Sequence, residues 1–291
     1  VSGLLYFKRR IKLNKSKLHS AGLKYIFGIF FVFMFLLTIP VQASSDGYDG
    51  VFKEKFGDNK GCMIIYNITD DVYLMYNPLQ CSKRFPPCST FKIFNSLVAL
   101  ETGVHKDENS LLKYDGSPQF LEEWKKDHTL ASAMKDSVVW YYQKTAAMIG
   151  EKRMQEYLDK TGYGNRDMSG GLTTFWLGST LLISAEEQTA FLVKLVRNEL
   201  PFGKHATDTV KKIMTLSSGK DFQFAGKTGS SYKNKKWVLG WFVGFVKKDN
   251  KVWVFAANIT GEENCDGKKA KTIVISVLKK LGILPEDLSV K

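Results

Sequence analysis

Histidine is nearly missing from this chain, with four residues in 291. Three of them, His105, His128 and His205, lie far apart in polar stretches, so neither a histidine-based metal centre nor a Ser-His-Asp triad has support. Cysteine is equally sparse. Cys62, Cys81, Cys88 and Cys265 form no C-x-x-C pair, which argues against zinc ribbons and dithiol redox motifs. Export would allow some of them to oxidise, and Cys62–Cys81 is one possible pairing across a first hairpin, with the connectivity left open. Internal repeats and long linkers are also lacking, and no apolar run reaches the roughly 20 residues of a membrane span.

Charge is what the chain has most visibly, with 42 basic against 29 acidic residues and a net of +13. Seven of the basic residues (Lys8, Arg9, Arg10, Lys12, Lys15, Lys17, Lys24) precede an apolar run from Tyr25 to Leu37 and a small-residue motif, Val41-Gln42-Ala43. That order is the layout of a secretory leader, so residues 1–43 are expected to be a signal peptide cleaved near Ala43, a retained anchor being the lesser reading. Residues 44–291 then form the mature domain, periplasmic or extracellular, with no stable membrane partner after cleavage. Without the leader the balance falls to 35 against 29. The remaining lysine pairs are scattered, as on solvated faces, and give no case for nucleic acid.

Chemistry enters with Ser89-Thr90-Phe91-Lys92. A serine hydroxyl is a weak nucleophile until a base takes its proton, and positions i and i+3 of a helix share a face, so an amine can lie over the hydroxyl. Ser-x-x-Lys occurs six times in this chain, so context must choose. Phe85-Pro86-Pro87-Cys88 breaks any preceding helix, and Phe91, Phe94, Leu97, Val98 and Leu100 then supply a buried helical stripe ending at Gly103. Ser89 is thus expected to open a core helix whose free N–H groups can polarise a carbonyl. Apolar neighbours of Lys92 favour its neutral, basic form. Lys-Thr-Gly occurs twice. At Lys160 it ends a helix, whereas at Lys227-Thr228-Gly229 it follows the strand-like Asp221–Ala225, where it can offer backbone N–H groups, a cation and a hydroxyl.

The coarse pattern is a short helix over Tyr48–Phe56, strands over Gly61–Ile68 and Val72–Asn77, and the Ser89 helix. A mainly helical stretch runs from about Pro118 to Leu216. Strands return at Asp221–Ala225, Lys236–Val246 and Lys251–Ile259, before a last helix over about Lys268–Leu281. This predicts an α/β domain of α+β type: one antiparallel sheet assembled from both chain ends, flanked by helices, with a helical lobe inserted at roughly 105–216. The Ser89 helix would lie between lobe and sheet, a natural cleft.

Between the two motifs stand Ser137-Val138-Val139, Tyr163-Gly164-Asn165 and Phe175-Trp176-Leu177-Gly178. In this order and spacing, with Ser-x-x-Lys and Lys-Thr-Gly, the chain resembles a class D β-lactamase, an oxacillinase of the penicillin-recognising serine enzymes. The resemblance extends over nearly all of the mature chain. It implies small-molecule β-lactam substrates, a Ser89 acyl-enzyme and a general base at Lys92 carboxylated by carbon dioxide, with no other cofactor and no metal. It further implies that Trp176 donates its indole N–H to the carbamate, and that Val139 and Leu177 keep the pocket dry. Ser137 and Lys227 would relay protons to the lactam nitrogen, Thr228 would bind the substrate carboxylate with Gly229 also binding substrate, and the Ser89 and Ser230 backbone N–H groups would form the oxyanion hole. Tyr163-Gly164-Asn165 would shape the pocket wall.

Two departures stand out. The arginine usual near the last helix is absent, leaving Lys268, Lys269 and Lys271 as candidates to pair with a substrate carboxylate, and Ser230 replaces a commonly bulkier residue. A transpeptidase would be expected to carry Asn where Val139 stands. A sensor domain that is acylated without turnover is the alternative function, disfavoured because no multi-span membrane region or protease domain accompanies the motifs.

Overall fold

The computed structural model describes residues 46–289. The expected leader, residues 1–43, lies outside the described residues. From the amino end, α1 (Asp46–Phe56), β1 (Gly61–Asn67), β2 (Val72–Tyr76) and the one-turn α2 (Pro78–Cys81) precede α3 (Phe91–Glu101). The lobe follows, with a two-residue ribbon of β3 (Leu111–Leu112) and β4 (His128–Thr129), then α4 (Leu130–Lys135), α5 (Val139–Ile149), α6 (Glu151–Thr161), α7 (Ala185–Arg197) and α8 (Lys204–Ile213). The carboxyl end supplies β5 (Thr215–Gly219), β6 (Phe222–Lys233), β7 (Lys236–Lys248), β8 (Lys251–Thr260) and α9 (Gly267–Lys280).

The main sheet has the order β2-β1-β8-β7-β6-β5, every pair antiparallel. Strand β1 from the amino end sits beside β8 from the carboxyl end, so the two ends do build one sheet with the lobe between them. Alternation along the strands divides the core in two. Ile64, Trp241, Val243 and Val254 face α3 and the lobe, while Ile65, Phe242 and Phe255 face α1 and α9. Period-two burial on both faces is why these strands read as nearly continuous apolar runs. Positive φ at Asn234-Lys235 and Asp249-Asn250 gives both tight hairpins a left-handed pair of residues, matching strand twist.

Three expectations change. Residues 215–216 are not the end of the helical stretch: α8 ends at Ile213, and Thr215–Gly219 is an edge strand, its Ser- and Gly-rich sequence hiding it. The strand expected over Asp221–Ala225 is the start of a longer one, because β6 runs on through Ser230 to Lys233. His105 and His128 are buried rather than set in polar surroundings; burial lowers the His105 pKa to about 4. All four cysteines are buried and unbridged.

Candidate active site

Ser89 sits in a single 3-10 turn, Cys88–Thr90, that runs straight into α3. Cys88 takes a φ of 50°, a left-handed conformation that non-glycine residues adopt only where the surroundings enforce it. Every residue of α3 from Phe91 to Leu100 is buried, the polar Asn95 and Ser96 included, because the helix passes through the core. One of them is Lys92. Its Nζ lies 2.6 Å from Ser89 Oγ and 5.4 Å from the centre of the Tyr142 ring, and the residue is 0% exposed. Burial, and then the nearby charge of Lys227, push the Lys92 ammonium well below its ordinary pKa and favour the free amine. Ser89 itself is only half-buried, so its hydroxyl is reachable.

Ser137 joins α4 to α5 with a φ of 56°, which turns its hydroxyl towards β6. Lys227 Nζ donates to Ser137 Oγ at 3.0 Å and to the Thr228 carbonyl at 3.2 Å. Burial first, and Lys271 on α9 second, bring the Lys227 pKa down to about 7. Among the three lysines proposed to replace the missing arginine, Lys271 is thus close enough to act on the site electrostatically. Strand β6 pairs with β5 only as far as Ala225. Among the described residues, one edge of β6 lacks a strand from Lys227 onward, and there Gly229 meets the turn that carries Ser89. A Cβ on Gly229 would stand 2.8 Å from the Pro87 carbonyl and 3.3 Å from the Ser89 nitrogen. Glycine permits this approach, which brings the Ser89 and Ser230 backbones together. Ser230 Oγ accepts from the Gly267 N–H at 2.8 Å, tying the same segment to the start of α9.

Trp176 comes from the long connection between α6 and α7. Its ring stacks on Phe91 at 5.1 Å, and its carbonyl accepts the Cys88 N–H at 3.0 Å. Asn165 holds that connection in place: its Oδ1 accepts the Leu182 N–H at 2.9 Å and its Nδ2 donates to the Thr180 carbonyl at 2.8 Å. Gly164, at a φ of 55°, has the Leu182 carbonyl where a side chain would begin. Val139 and Leu177 are half-buried, unlike the fully enclosed Val138 and Phe175. The structure therefore gathers Ser89, Lys92, Ser137, Lys227, Thr228, Gly229 and Ser230 where the start of α3 meets β6, with Trp176 packed beside the Ser89 turn. Sequence reasoning missed Tyr142, the ring beneath Lys92. Its only sequence signal was a place one helical turn beyond Val139. Two open surface hollows of about 460 Å³ lie elsewhere, against β5 and the β7–β8 turn, and none of these site residues lines them.

Residues 57–279 match the penicillin binding protein transpeptidase domain family. The probable β-lactamase YbxI of Bacillus subtilis is 41% identical over 231 residues, covering 79% of this chain and 84% of that protein. The regulatory protein BlaR1 of Bacillus licheniformis is 37% identical over 80% of this chain, which spans only 39% of BlaR1. A crystal structure of a class D β-lactamase from Bacillus subtilis superposes with a TM-score of 0.77 at 40% identity, covering 81% of this chain and 97% of that one. With this fold and these shared sequences, the chain belongs to the class D β-lactamase family.

Proposed function

We propose that the chain hydrolyses the β-lactam amide of penicillin-type antibiotics through an acyl-enzyme on Ser89, and so confers resistance to them. The observation that carries this reading is the 2.6 Å approach of a fully buried Lys92 amine to an accessible serine hydroxyl. A base in this position takes the Ser89 proton as Oγ bonds to the lactam carbonyl carbon. The negative charge formed on the carbonyl oxygen falls to the N–H groups of Ser89 and Ser230, held close by Gly229. When the C–N bond breaks, Ser137, backed by Lys227, hands a proton to the leaving nitrogen. A Lys227 pKa of about 7 suits a group that must both give and regain a proton near neutrality. Thr228, with the positive charge of Lys271, receives the substrate carboxylate. Water then attacks the ester as the base at residue 92 takes its proton, the bond between the acyl carbon and Ser89 Oγ breaks, and that proton passes to Oγ to restore the serine.

Residue 92 fits the family's carbamate, because carbon dioxide adds only to a neutral amine and burial here suppresses the ammonium. Trp176 would hold that group by its indole N–H, and when bound it supplies an anionic oxygen base. Val139 and Leu177 would limit water around it.

BlaR1 keeps one alternative alive, a domain acylated once by β-lactam without turnover. Mixing purified protein with a chromogenic cephalosporin separates the two. Sustained colour release is expected; one stoichiometric burst followed by silence would make the chain a receptor. Ser89→Ala should abolish turnover, and mass spectrometry of the wild type with a penicillin should place the adduct on the peptide holding Ser89. An adduct at Ser132 or Ser137 would overturn the assignment.

A further inference from the structure

Behind the nucleophile's turn lies a buried polar cluster that the proposed chemistry does not use. Gln188, in the first turn of α7 and 1% exposed, donates from Nε2 to Thr90 Oγ1 at 2.8 Å. Thr90, equally buried, donates its hydroxyl to the Pro87 carbonyl at 2.8 Å. The buried Tyr163 hydroxyl lies beside both Thr90 and Gln188. These three side chains come from segments far apart in sequence, and each polar group is enclosed where an unpaired amide or hydroxyl is costly. The same turn of α7 also grips the other end of the lead-in. Ser184 and Glu187 cap the helix reciprocally, and Glu187 accepts Arg84 Nε at 3.0 Å. The backbones of Phe85 and Ile183 exchange hydrogen bonds at 2.9 and 2.8 Å.

We infer that Gln188 is a positioning residue for acylation: through Thr90 it fixes the turn that carries Ser89 against β6. The inference rests on the reading of Ser89 as nucleophile and goes beyond it. Its physical ground is the tight fit at Gly229, whose missing side chain would lie 3.2 Å from Thr90 Cγ2 and 3.3 Å from the Ser89 nitrogen. Thr90 and the Ser89 N–H meet β6 at one point, so a shift of Thr90 changes the spacing of the two N–H groups proposed to receive the oxyanion. Cys88, held at positive φ immediately before, has no low-energy way to keep Ser89 in place if Thr90 is released.

The test is pre-steady-state acylation by a chromogenic cephalosporin, in the same preparations whose melting temperatures are measured. Gln188→Met keeps length and burial but removes the donor. It should slow acylation by about tenfold to thirtyfold, with the initial binding constant within about twofold of wild type, because the lost interaction acts on the charge formed in the transition state. Thr90→Val should slow acylation similarly, and the double variant should be no slower than the worse single one. Gln188→Glu supplies a readout that packing alone cannot move. Its buried acid donates to Thr90 only when protonated, so acylation relative to wild type should rise as pH falls. This variant also serves if the methionine variant does not fold. Wild-type acylation in Gln188→Met, effects that multiply in the double variant, or a flat pH ratio in Gln188→Glu would each overturn the inference. Failure of wild type to be acylated at Ser89 would instead remove the proposed function on which it rests.

Discussion

Replacing Lys227 by methionine should make this protein more stable and less active, and the pH dependence of the gain can be worked out. The Lys227 ammonium, with an ordinary pKa of 10.5, is brought to about 7 in the fold, chiefly by burial. Between about pH 7 and 10.5 the unfolded chain therefore holds a proton that the folded chain lacks, so stability rises with pH across that window. Below about 7 both states are protonated, and the fold carries the full cost of a charge taken out of water. The fall from 10.5 to about 7 sets a ceiling of about 4–5 kcal/mol on that cost. Methionine removes the charge but also the hydrogen bonds to Ser137 and to the Thr228 carbonyl, each worth about 1 kcal/mol. A net gain of about 2 kcal/mol remains, or a rise of roughly 4–8 °C in melting temperature for a domain of this size. The assay is thermal unfolding of both proteins from pH 6 to 10 in degassed buffer. The variant's advantage should be full at pH 6 and shrink steadily above pH 7. A variant less stable than wild type at pH 6, by the same margin at pH 10, would show that Lys227 is held by favourable contacts and carries no buried-charge penalty.

Other outcomes follow from the same geometry. Activity should fall in degassed acidic buffer and recover on adding bicarbonate, since acid protonates the Lys92 amine and reverses its carboxylation; indifference to bicarbonate would favour a plain amine as base. Trp176→Ala should impair deacylation more than acylation and accumulate adduct in a burst assay, whereas Trp176→Phe, which keeps the stack on Phe91, should lose only the N–H, a deficit of about 1–3 kcal/mol. If the alanine variant turns over like wild type with no trapped adduct, the indole is packing alone. Lys271→Ala should raise KM for substrates bearing a carboxylate and lift the Lys227 pKa, shifting the alkaline side of the rate profile upwards; an unchanged KM would assign the carboxylate to another group.

Much of the sheet was legible because its strands carry their own signal. Lys236–Lys248 and Lys251–Thr260 are dense in Val, Phe and Trp, and both hairpins turn on short polar pairs. Strand β5 was not legible, since Thr-Leu-Ser-Ser-Gly has neither apolar alternation nor β-branched density and is ordered by pairing with β6. The Ser89–Lys92 pair was visible from helical spacing, and its partners Ser137, Trp176 and Lys227 came from motif order. Their distances could not be read, because Ser137 reaches Lys227 across 90 residues through a backbone conformation that serine rarely adopts. Tyr142 and Gln188 were hidden for a similar reason. Each looks like an ordinary helix residue, and only the packing of distant segments gives it something to touch.

The early end of β5 has a consequence for what the cleft can read. Strand edges left without a neighbour tend to recruit one, and proteins usually blunt them with lysines, as Lys233, Lys235 and Lys236 do at the tip of this hairpin. Beside Ser89, however, β6 presents main-chain groups from Lys227 onward to any extended amide that lies along them. Recognition by main chain is indifferent to most side chains, so guests that share an amide and a carboxylate but differ in their decoration meet the same bonds. Chemical breadth in the substrate would then need no adaptable pocket, only a strand that stops being paired at Ala225.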